Sequence, residues 1–407
     1  MARARSWTVW SALAMLWLAL TGACALAADA TVTATDGRVV GDDVRTRFVL
    51  DISAEVAINA FTLDDPYRVV VDLPEIDFQL PQNSGAAGRG LVERWRYGLF
   101  AAGRSRIVLD VTGPVKIDKA FVLSAIEGQP ARLVLDLVKT TPAEFRDELQ
   151  RQTLQRESAN DAPVQKTDRL PEPLQKRDKP LFVIDPGHGG VDSGTISPAG
   201  VMEKDVVLAV AKELQERLEA TGKLAVMLTR TDDHFLALND RVRFARDHNA
   251  DLFMSIHADS EHEGSVRGAT VYTLSDRASD QDAAALAAKE NASDILAGLD
   301  LEQSTDQVAD ILVDLTRRET RNFSQMFAGD LVGDLGSATR LIRNPRRAAG
   351  FRVLKAQDVP SILLEIGYLS NEQDEKLLTS QDWRDRVTEA IAQAVLRFFS
   401  QKYAATQ

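Results

Sequence analysis

The chain has 407 residues, of which 44% are hydrophobic and 27% are charged, a composition typical of globular proteins and a length that favours two or more domains. Its formal net charge of −12 argues against nucleic acid as a partner, because no long stripe of Lys and Arg is present to neutralise phosphates. The same acidity disfavours anchorage on an anionic membrane surface.

Residues 1–28 have the pattern of a secretory signal peptide. Two arginines precede an apolar segment at residues 7–20, and an Ala-Leu-Ala sequence follows at residues 25–27, where a signal peptidase would cleave. The apolar segment is shorter than the ~20 residues that a membrane span needs, which favours an exported mature chain without a transmembrane segment over a retained anchor. Cys24 is the one cysteine of the sequence. It follows a faint lipoprotein-like box whose leucine lies one place too far upstream, so lipidation of Cys24 is a minor alternative.

Residues 29–139 repeat one phrase four times. An Arg, three apolar residues, an Asp and a further apolar residue occur at residues 47–52, 68–73, 106–111 and 132–137, and such self-similarity indicates a repeated unit. The β-branched residues in these phrases and the turn residues between them predict an all-β sandwich. The Arg and Asp of each phrase lie on the same face of an extended strand, where they can pair with neighbouring strands. They either decorate a solvent-exposed face or take part in binding.

The repeated phrase resembles the AMIN domain, a small β-sandwich that precedes the catalytic domain of periplasmic cell-wall amidases. The resemblance implies that residues 29–139 direct the protein to peptidoglycan at the division site, by binding either glycan or a protein of the division machinery. Residues 140–180 are rich in Gln, Arg, Glu, Asp and Pro. Because such a segment cannot offset its ordering entropy by burial, it is predicted to be a flexible linker, and residues 143–155 are a candidate for a helical turn within it.

Residues 181–404 alternate between apolar runs and amphipathic helical patterns. This alternation predicts an α/β domain with a mainly parallel sheet, in which sites form at the carboxyl ends of strands. Strands are predicted at residues 181–184, 224–228, 252–256, 269–274, 351–354 and 361–364, and helices at residues 205–220, 239–248, 282–297, 304–335 and 383–399.

Three predicted strand ends carry groups suited to a metal site. His188 follows the first strand, His257 ends the third and Glu365 ends the last. A lone turn histidine is more often without a role, but three such groups at buried strand ends are costly unless they are paired or bound. Glu203 lies just ahead of the first helix predicted in this region, as a ligand or merely as an acid favoured by the helix dipole. Two histidines and a glutamate are a ligand set of catalytic zinc sites, and a second glutamate can act as the general base.

Four segments resemble, in order, the zinc-dependent N-acetylmuramoyl-L-alanine amidases of the amidase-3 type; they lie at residues 183–190, 203–205, 255–259 and 364–371. The resemblance implies that His188, Glu203 and His257 bind Zn²⁺ and that Glu365 is the catalytic acid and base. It also implies the reaction, which is hydrolysis of the amide between N-acetylmuramic acid and the L-alanine of the peptidoglycan stem peptide. No organic cofactor is implied.

The remaining polar residues near these segments have less distinctive contexts. Asp259 lies two residues after His257, and is either a partner of a metal ligand or a loop acid. His234, His248 and His262 lie in polar or helix-end contexts, and we expect them to be surface residues without a role in the site.

Residues 275–335 are longer than one crossover connection requires and are predicted to form a helical insertion. Glu290 lies four residues after Leu286, so both are on one helix face, where an acid needs a partner. Division-associated members of the family are similar in having an inserted helix that covers the zinc, supplies an acid to it and is released by a partner with a LytM-type fold. The resemblance therefore implies a latent enzyme. Our hypothesis is that Glu290 is the autoinhibitory ligand; another acid of the insertion, or a plain surface hairpin, is the alternative.

Together these features predict an exported, periplasmic zinc amidase that acts in daughter-cell separation and is enriched at the division site. The main competing hypothesis is a catalytically inactive peptidoglycan-binding or division-site adaptor that retains a structural zinc. A metallopeptidase with a different substrate is a third. A structural zinc site is closed by four protein ligands, whereas a catalytic site keeps one position open.

Overall fold

The computed structural model describes residues 31–159, 178–260, 266–299 and 313–404. The predicted signal peptide, with Cys24, lies outside these residues, as do His262 and the central part of the predicted linker. No helix within the described ranges is long and apolar enough to cross a membrane. An N-terminal β-rich region is followed by an α/β region with a mainly parallel sheet, which confirms the predicted fold class.

The N-terminal region is a sandwich of two mainly antiparallel sheets. Its strands are β1 (Val32–Gly41), β2 (Arg45–Ile52), β3 (Asn59–Leu63), β4 (Arg68–Pro74), β5 (Ile76–Phe78), β6 (Val92–Ala101), β7 (Arg104–Val111), β8 (Val115–Leu123) and β9 (Ala131–Lys139). The strand orders are β5-β1-β2-β9-β8 and β3-β4-β7-β6. The four repeated phrases form β2, β4, β7 and β9, so each sheet has two of them as adjacent strands.

The antiparallel register pairs each Arg of a phrase with the Asp of the phrase on the neighbouring strand. Arg47 lies opposite Asp136 in β2 and β9, and Arg106 lies opposite Asp72 in β7 and β4. The shortest N···O distance is 2.6 Å in both ion pairs. The alternate apolar residues of the phrases point inward and fill the core between the two sheets, as the period of a strand requires.

The C-terminal region is built on a six-stranded sheet. Its strands are β10 (Leu181–Pro186), β11 (Ala225–Leu228), β12 (Leu252–His257), β13 (Ala269–Leu274), β14 (Leu341–Ala349) and β15 (Ser361–Glu365). They are ordered β11-β10-β12-β15-β13-β14. Neighbouring strands run parallel except for β13 and β15, which are antiparallel.

Helices cover both faces of this sheet. The described helices are α1 (Pro142–Ala159), α2 (Glu203–Ala220), α3 (Leu238–Asp247), α4 (Gln281–Asn291), α5 (Ser293–Leu296), α6 (Val313–Ala338), α7 (Glu372–Leu378) and α8 (Gln381–Ala404), with a 3₁₀ turn at Arg352–Leu354. Apolar residues of α2, α6 and α8 pack on one face, whereas those of α3, α4 and the 3₁₀ turn pack on the other.

The prediction of a strand at residues 351–354 is wrong. Residues Arg352–Leu354 form a 3₁₀ turn, and their apolar side chains pack on the sheet from outside it. The strand in this part of the chain is β14, which contains three arginines and is mostly half-buried or exposed. Because β14 is an edge strand with one neighbour, it carries no buried apolar run that a sequence pattern could reveal.

Two helices are more closely packed against their domains than the sequence predicted. Helix α1 occupies the start of the predicted linker, and its Phe145 is 2% exposed with its ring centroid 5.0 Å from that of Tyr67. Helix α6 lies in the predicted insertion, yet Phe327, Leu331 and Leu335 are fully buried in the domain core. Residues 327–335 are therefore part of the domain core, and α4 and α5 are the more peripheral part of the described insertion.

Candidate metal centre

The carboxyl ends of β10, β12 and β15 lie side by side and carry three of the predicted site residues. Pro186 at the end of β10 is paired with Ile256 of β12, and His257 is paired with Glu365 of β15. Because parallel neighbours end at one edge of the sheet, His188, in the turn after β10, lies at the same edge.

The turn that carries His188 approaches its surroundings too closely for side chains at its glycines, two of which face the site. A Cβ on Gly187 would lie 2.6 Å from His257 Nε2, and one on Gly194 would lie 2.7 Å from Glu203 Oε2. His188 itself has a φ of 57°, a left-handed conformation that is unfavourable for a residue with a side chain.

A buried ion pair beneath this turn stabilises it. Arg241 of α3 donates hydrogen bonds to Asp185 Oδ1 and the Pro186 carbonyl, both at 2.8 Å, and to the His188 carbonyl at 2.7 Å. Burial by itself raises the pKa of Asp185, but Arg241 and two hydroxyl donors outweigh it and hold that pKa below its ordinary value. The conformation of His188 is thus supported from α3, which no sequence pattern indicated.

Arg241→Met is expected to lower the free energy of unfolding by about 3 kcal/mol, because it leaves the Asp185 carboxylate buried without its counter-ion. Urea denaturation followed by circular dichroism measures the change. Arg243→Met is the matched control, since Arg243 lies on the same helix with a side chain 60% exposed and is expected to cost less than about 1 kcal/mol. Equal effects of the two substitutions would contradict this role of Arg241.

His188, Glu203 and His257 form a compact buried group. Glu203 Oε1 lies 3.1 Å from His188 Nε2 and 3.2 Å from His257 Nδ1, and one ligand atom from each residue lies within 4.8 Å of the others. None of the three side chains is more than 6% exposed. The group could hold a metal ion.

The hydrogen bonds of His188 leave one of its nitrogens available for a ligand. Its Nδ1 lies 3.0 Å from Asp192 Oδ2, while its buried Nε2 faces the Glu203 carboxylate at 3.1 Å without hydrogen-bond geometry. A carboxylate on one ring nitrogen favours the tautomer whose other nitrogen has a free lone pair, as in metal-ligating histidines. The donor set therefore fits a bound metal ion.

The charges around this group favour a cation. Burial by itself lowers the pKa of His188, but Glu203 and Asp192 outweigh it and raise that pKa well above its ordinary value. Conversely, burial raises the pKa of Glu203, whereas the charge of His188 holds it well below its usual range. A site that favours an imidazolium in this way also favours a bound cation.

Glu365 is a buried acid beside this group. Its side chain is fully buried, its Oε2 accepts a hydrogen bond from the Asp259 amide at 3.1 Å, and its Oε1 has no hydrogen-bond partner. Burial, reinforced by Asp259 and Glu203, raises the pKa of Glu365 well above its ordinary value. Such a carboxyl can exchange a proton at neutral pH.

Asp259 is fully buried and does not belong to the three-residue group. Its Oδ1 accepts a hydrogen bond from the Thr195 hydroxyl at 2.7 Å and pairs with the Lys289 ammonium of α4. Thr195 in turn donates its backbone N–H to Glu203 Oε2 at 2.9 Å. Asp259 thus connects Glu203, through Thr195, to α4, through Lys289, so it contacts a candidate ligand only indirectly.

Glu290 of α4 reaches the same nitrogens. Its Oε2 lies 3.2 Å from His257 Nδ1 and 3.6 Å from His188 Nε2, and the residue is 5% exposed. Burial raises the pKa of Glu290 to about 7, with the two histidines opposing this effect. Glu290 is not part of the mutually close group, so it stands as an additional carboxylate beside it.

Several polar residues of the site carried no clear sequence signal. One such pair is Asp192 and Ser293. The Ser293 hydroxyl donates a hydrogen bond of 2.5 Å to the Asp192 carboxylate, which also lies beside His188 Nδ1. The spacing of four residues between His188 and Asp192 could have suggested that partner. His234 and His248 take part in other contacts, with Asp232 and the Phe244 carbonyl.

Known protein families account for both regions of the chain. Residues 182–397 match the family model described as N-acetylmuramoyl-L-alanine amidase. The chain belongs to this amidase family. Residues 36–137 match the AMIN domain, so both resemblances predicted from the motifs are confirmed.

Relatives of this amidase include proteins that it matches over almost their whole length. It is 32% identical over 397 residues to N-acetylmuramoyl-L-alanine amidase AmiC of Escherichia coli strain CFT073, covering 95% of this chain and 93% of the relative. It is 33% identical to the AmiC of Neisseria meningitidis, covering 90% of each chain. AmiA of Escherichia coli K12 is 38% identical over 222 residues, covering 54% of this chain and 76% of that relative.

Proposed function

We propose that this protein is a zinc-dependent peptidoglycan amidase that cleaves the amide between the lactyl group of N-acetylmuramic acid and the L-alanine of the stem peptide. The observation that carries the proposal is the buried group of His188, Glu203 and His257, with Glu365 at the adjoining strand end. Membership of the amidase family supports the peptidoglycan substrate.

His188, Glu203 and His257 would hold Zn²⁺ through two imidazole nitrogens and a carboxylate, which is a donor set of catalytic zinc sites. When bound, the ion supplies Lewis-acid polarisation of the substrate carbonyl and lowers the pKa of water. The buried Nε2 of His188, which makes no hydrogen bond and faces the Glu203 carboxylate, supports its assignment as a ligand.

Glu365 would act as the general base and then as the general acid. Its raised pKa suits proton transfer near neutral pH. The Asp259 amide holds Oε2 of Glu365, which leaves Oε1 to accept a proton from the attacking water. The same oxygen then delivers that proton to the nitrogen of L-alanine as the amide bond breaks, so the products are a free lactyl carboxylate and a free amino terminus.

Helix α4 supports latency, because it places the Glu290 carboxylate against the two ligand histidines. A partner with a LytM-type fold would relieve this by displacing α4. Residues 1–28 would direct export to the periplasm, residues 29–139 recruitment to peptidoglycan or to the division machinery, and residues 181–404 catalysis in daughter-cell separation. Residues 140–180, which include α1, would connect the two domains.

Removal of the metal is expected to abolish cleavage of purified peptidoglycan, and one equivalent of Zn²⁺ per chain is expected to restore it. The assay is mass spectrometry of the released peptides, run in the Glu290→Gln background so that the proposed latency does not mask activity. Intact stem peptides with L-alanine at a free amino terminus are the expected product. Peptides cut internally would indicate a metallopeptidase instead, and no release under any metal condition would favour an inactive adaptor.

A further inference from the structure

The outer face of the β3-β4-β7-β6 sheet packs against the catalytic domain. Val70 and Val108, the outward valines of two repeated phrases, are fully buried in an apolar cluster with Val191, Phe235 and Ala297. Val191 lies in the turn that carries His188, and Ala297 directly follows α5. The sandwich therefore contacts both the metal-site turn and the segment that carries Glu290.

Two arginines of the sandwich bind the end of that segment. Arg106 donates hydrogen bonds to the carbonyls of Ala297 at 3.2 Å and Gly298 at 3.0 Å, and Arg68 donates to the carbonyl of Ile295. The last carbonyls of a helix have no partner within the helix. The Ala297 and Gly298 carbonyls follow the end of α5 and receive charged donors from the other domain, whereas the Ile295 carbonyl also accepts the Gly298 N–H at 2.9 Å. Hydrogen bonds from charged donors are among the stronger ones in proteins.

Arg106 is rigidly held for this contact. Asp72 binds its guanidinium through two hydrogen bonds of 2.6 and 2.9 Å, and the guanidinium lies 3.5 Å from the centroid of the Phe100 ring. Phe100 in turn stacks on Phe235 of the catalytic domain, with centroids 5.8 Å apart. Little side-chain entropy remains to be lost when Arg106 binds the two carbonyls.

The contact continues from α5 to the metal site. Ser293 donates its hydroxyl hydrogen to Asp192, and the Asp294 carboxylate accepts a hydrogen bond of 2.9 Å from the Leu238 amide. Glu290 lies three residues before Ser293, at the end of α4. The segment between Glu290 and Gly298 is thus bound at one end by Asp192 beside His188 and at the other end by Arg106 of the sandwich.

The other sheet of the sandwich, β5-β1-β2-β9-β8, contains an equivalent Arg–Asp ion pair whose arginine is half-exposed rather than buried against α5. Arg47 pairs with Asp136 as Arg106 pairs with Asp72, but the Arg47 side chain is 49% exposed and that of Arg106 only 7%. The contact therefore distinguishes one pair of repeated phrases from the other, and Arg47 provides a matched control.

We propose that the N-terminal sandwich is a brace that holds the α4–α5 segment, and with it Glu290, against the metal site through Arg68 and Arg106. The two arginines are positioning residues. The effect of the brace on activity rests on the latency proposed above, whereas its effect on the order of the segment does not. A ligand that separated the sandwich from the catalytic domain would loosen α4.

Hydrogen exchange of residues 281–299 in the full-length protein, metal-free and loaded with Zn²⁺, tests this brace. Arg106→Met is expected to raise the amide exchange rate of this segment about tenfold, and Arg47→Met is expected to leave it unchanged. An exchange rate in Arg106→Met equal to that in Arg47→Met would overturn the proposal.

A second variant perturbs the contact from the catalytic side. Ala297→Arg places a large cation beside Arg106 without changing the sandwich, so it remains informative if Arg106→Met fails to fold. The expected result is again faster exchange in residues 281–299, and unchanged exchange would overturn the brace. Faster exchange without increased peptidoglycan cleavage would support the brace and contradict the proposed latency, which separates the two failures.

Discussion

Glu365→Gln is expected to lower the rate of amide hydrolysis by about 10²- to 10⁴-fold, the usual contribution of a general acid-base group. A glutamine has nearly the same shape and can still accept the hydrogen bond from the Asp259 amide, but it cannot take up the proton of the attacking water. The rate of stem-peptide release in the Glu290→Gln background measures the effect.

Zinc content separates a catalytic role of Glu365 from a ligand role. Because Glu365 does not belong to the group that could hold the metal, the Glu365→Gln protein is expected to bind one zinc with unchanged affinity. Glu372→Gln is the matched control, since the Glu372 side chain is 81% exposed at the start of α7, and full activity is expected. Undiminished cleavage by Glu365→Gln would exclude it as the general base.

Glu290→Gln is expected to raise the basal rate of peptidoglycan cleavage by about 10- to 100-fold, which corresponds to about 1.4–2.8 kcal/mol of stabilisation of the resting state. The physical reason is the approach of its carboxylate to His188 and His257, the two proposed ligand histidines. In the proposed resting state, removing the carboxylate removes a group that would compete with water and substrate for the metal. Stem-peptide release without any activator measures this change.

A point substitution is the appropriate test of latency. Deletion of the whole of residues 275–335 would remove Phe327, Leu331 and Leu335 from the domain core and unfold the enzyme. Asp282→Asn provides the control, because Asp282 lies on the same helix with a side chain 64% exposed. Weaker zinc binding without faster cleavage in Glu290→Gln would contradict latency and make Glu290 a stabilising ligand.

The strand ends of the α/β domain were predictable because their signals are local. An apolar run followed by Pro-Gly-His, or ended by Ser-Ile-His or Leu-Leu-Glu, places a polar group at a known edge of the sheet. Edge strand β14 was missed because it has no buried face of this kind. Arg241 and Asp185 were missed because their pairing joins a helix and a strand 56 residues apart.

By itself the sequence determined the two-region fold class, the four repeated phrases and the residues that end the central strands. These depend on periodicity and on residue types within a few positions of one another. Only the tertiary structure determined which distant elements pack against each surface. Arg47 and Arg106 occupy equivalent positions in near-identical phrases, yet one side chain is half-exposed and the other is buried against the segment that carries Glu290. A repeated local pattern specifies which way a side chain points from its strand, and the packing of distant elements determines what that side chain meets.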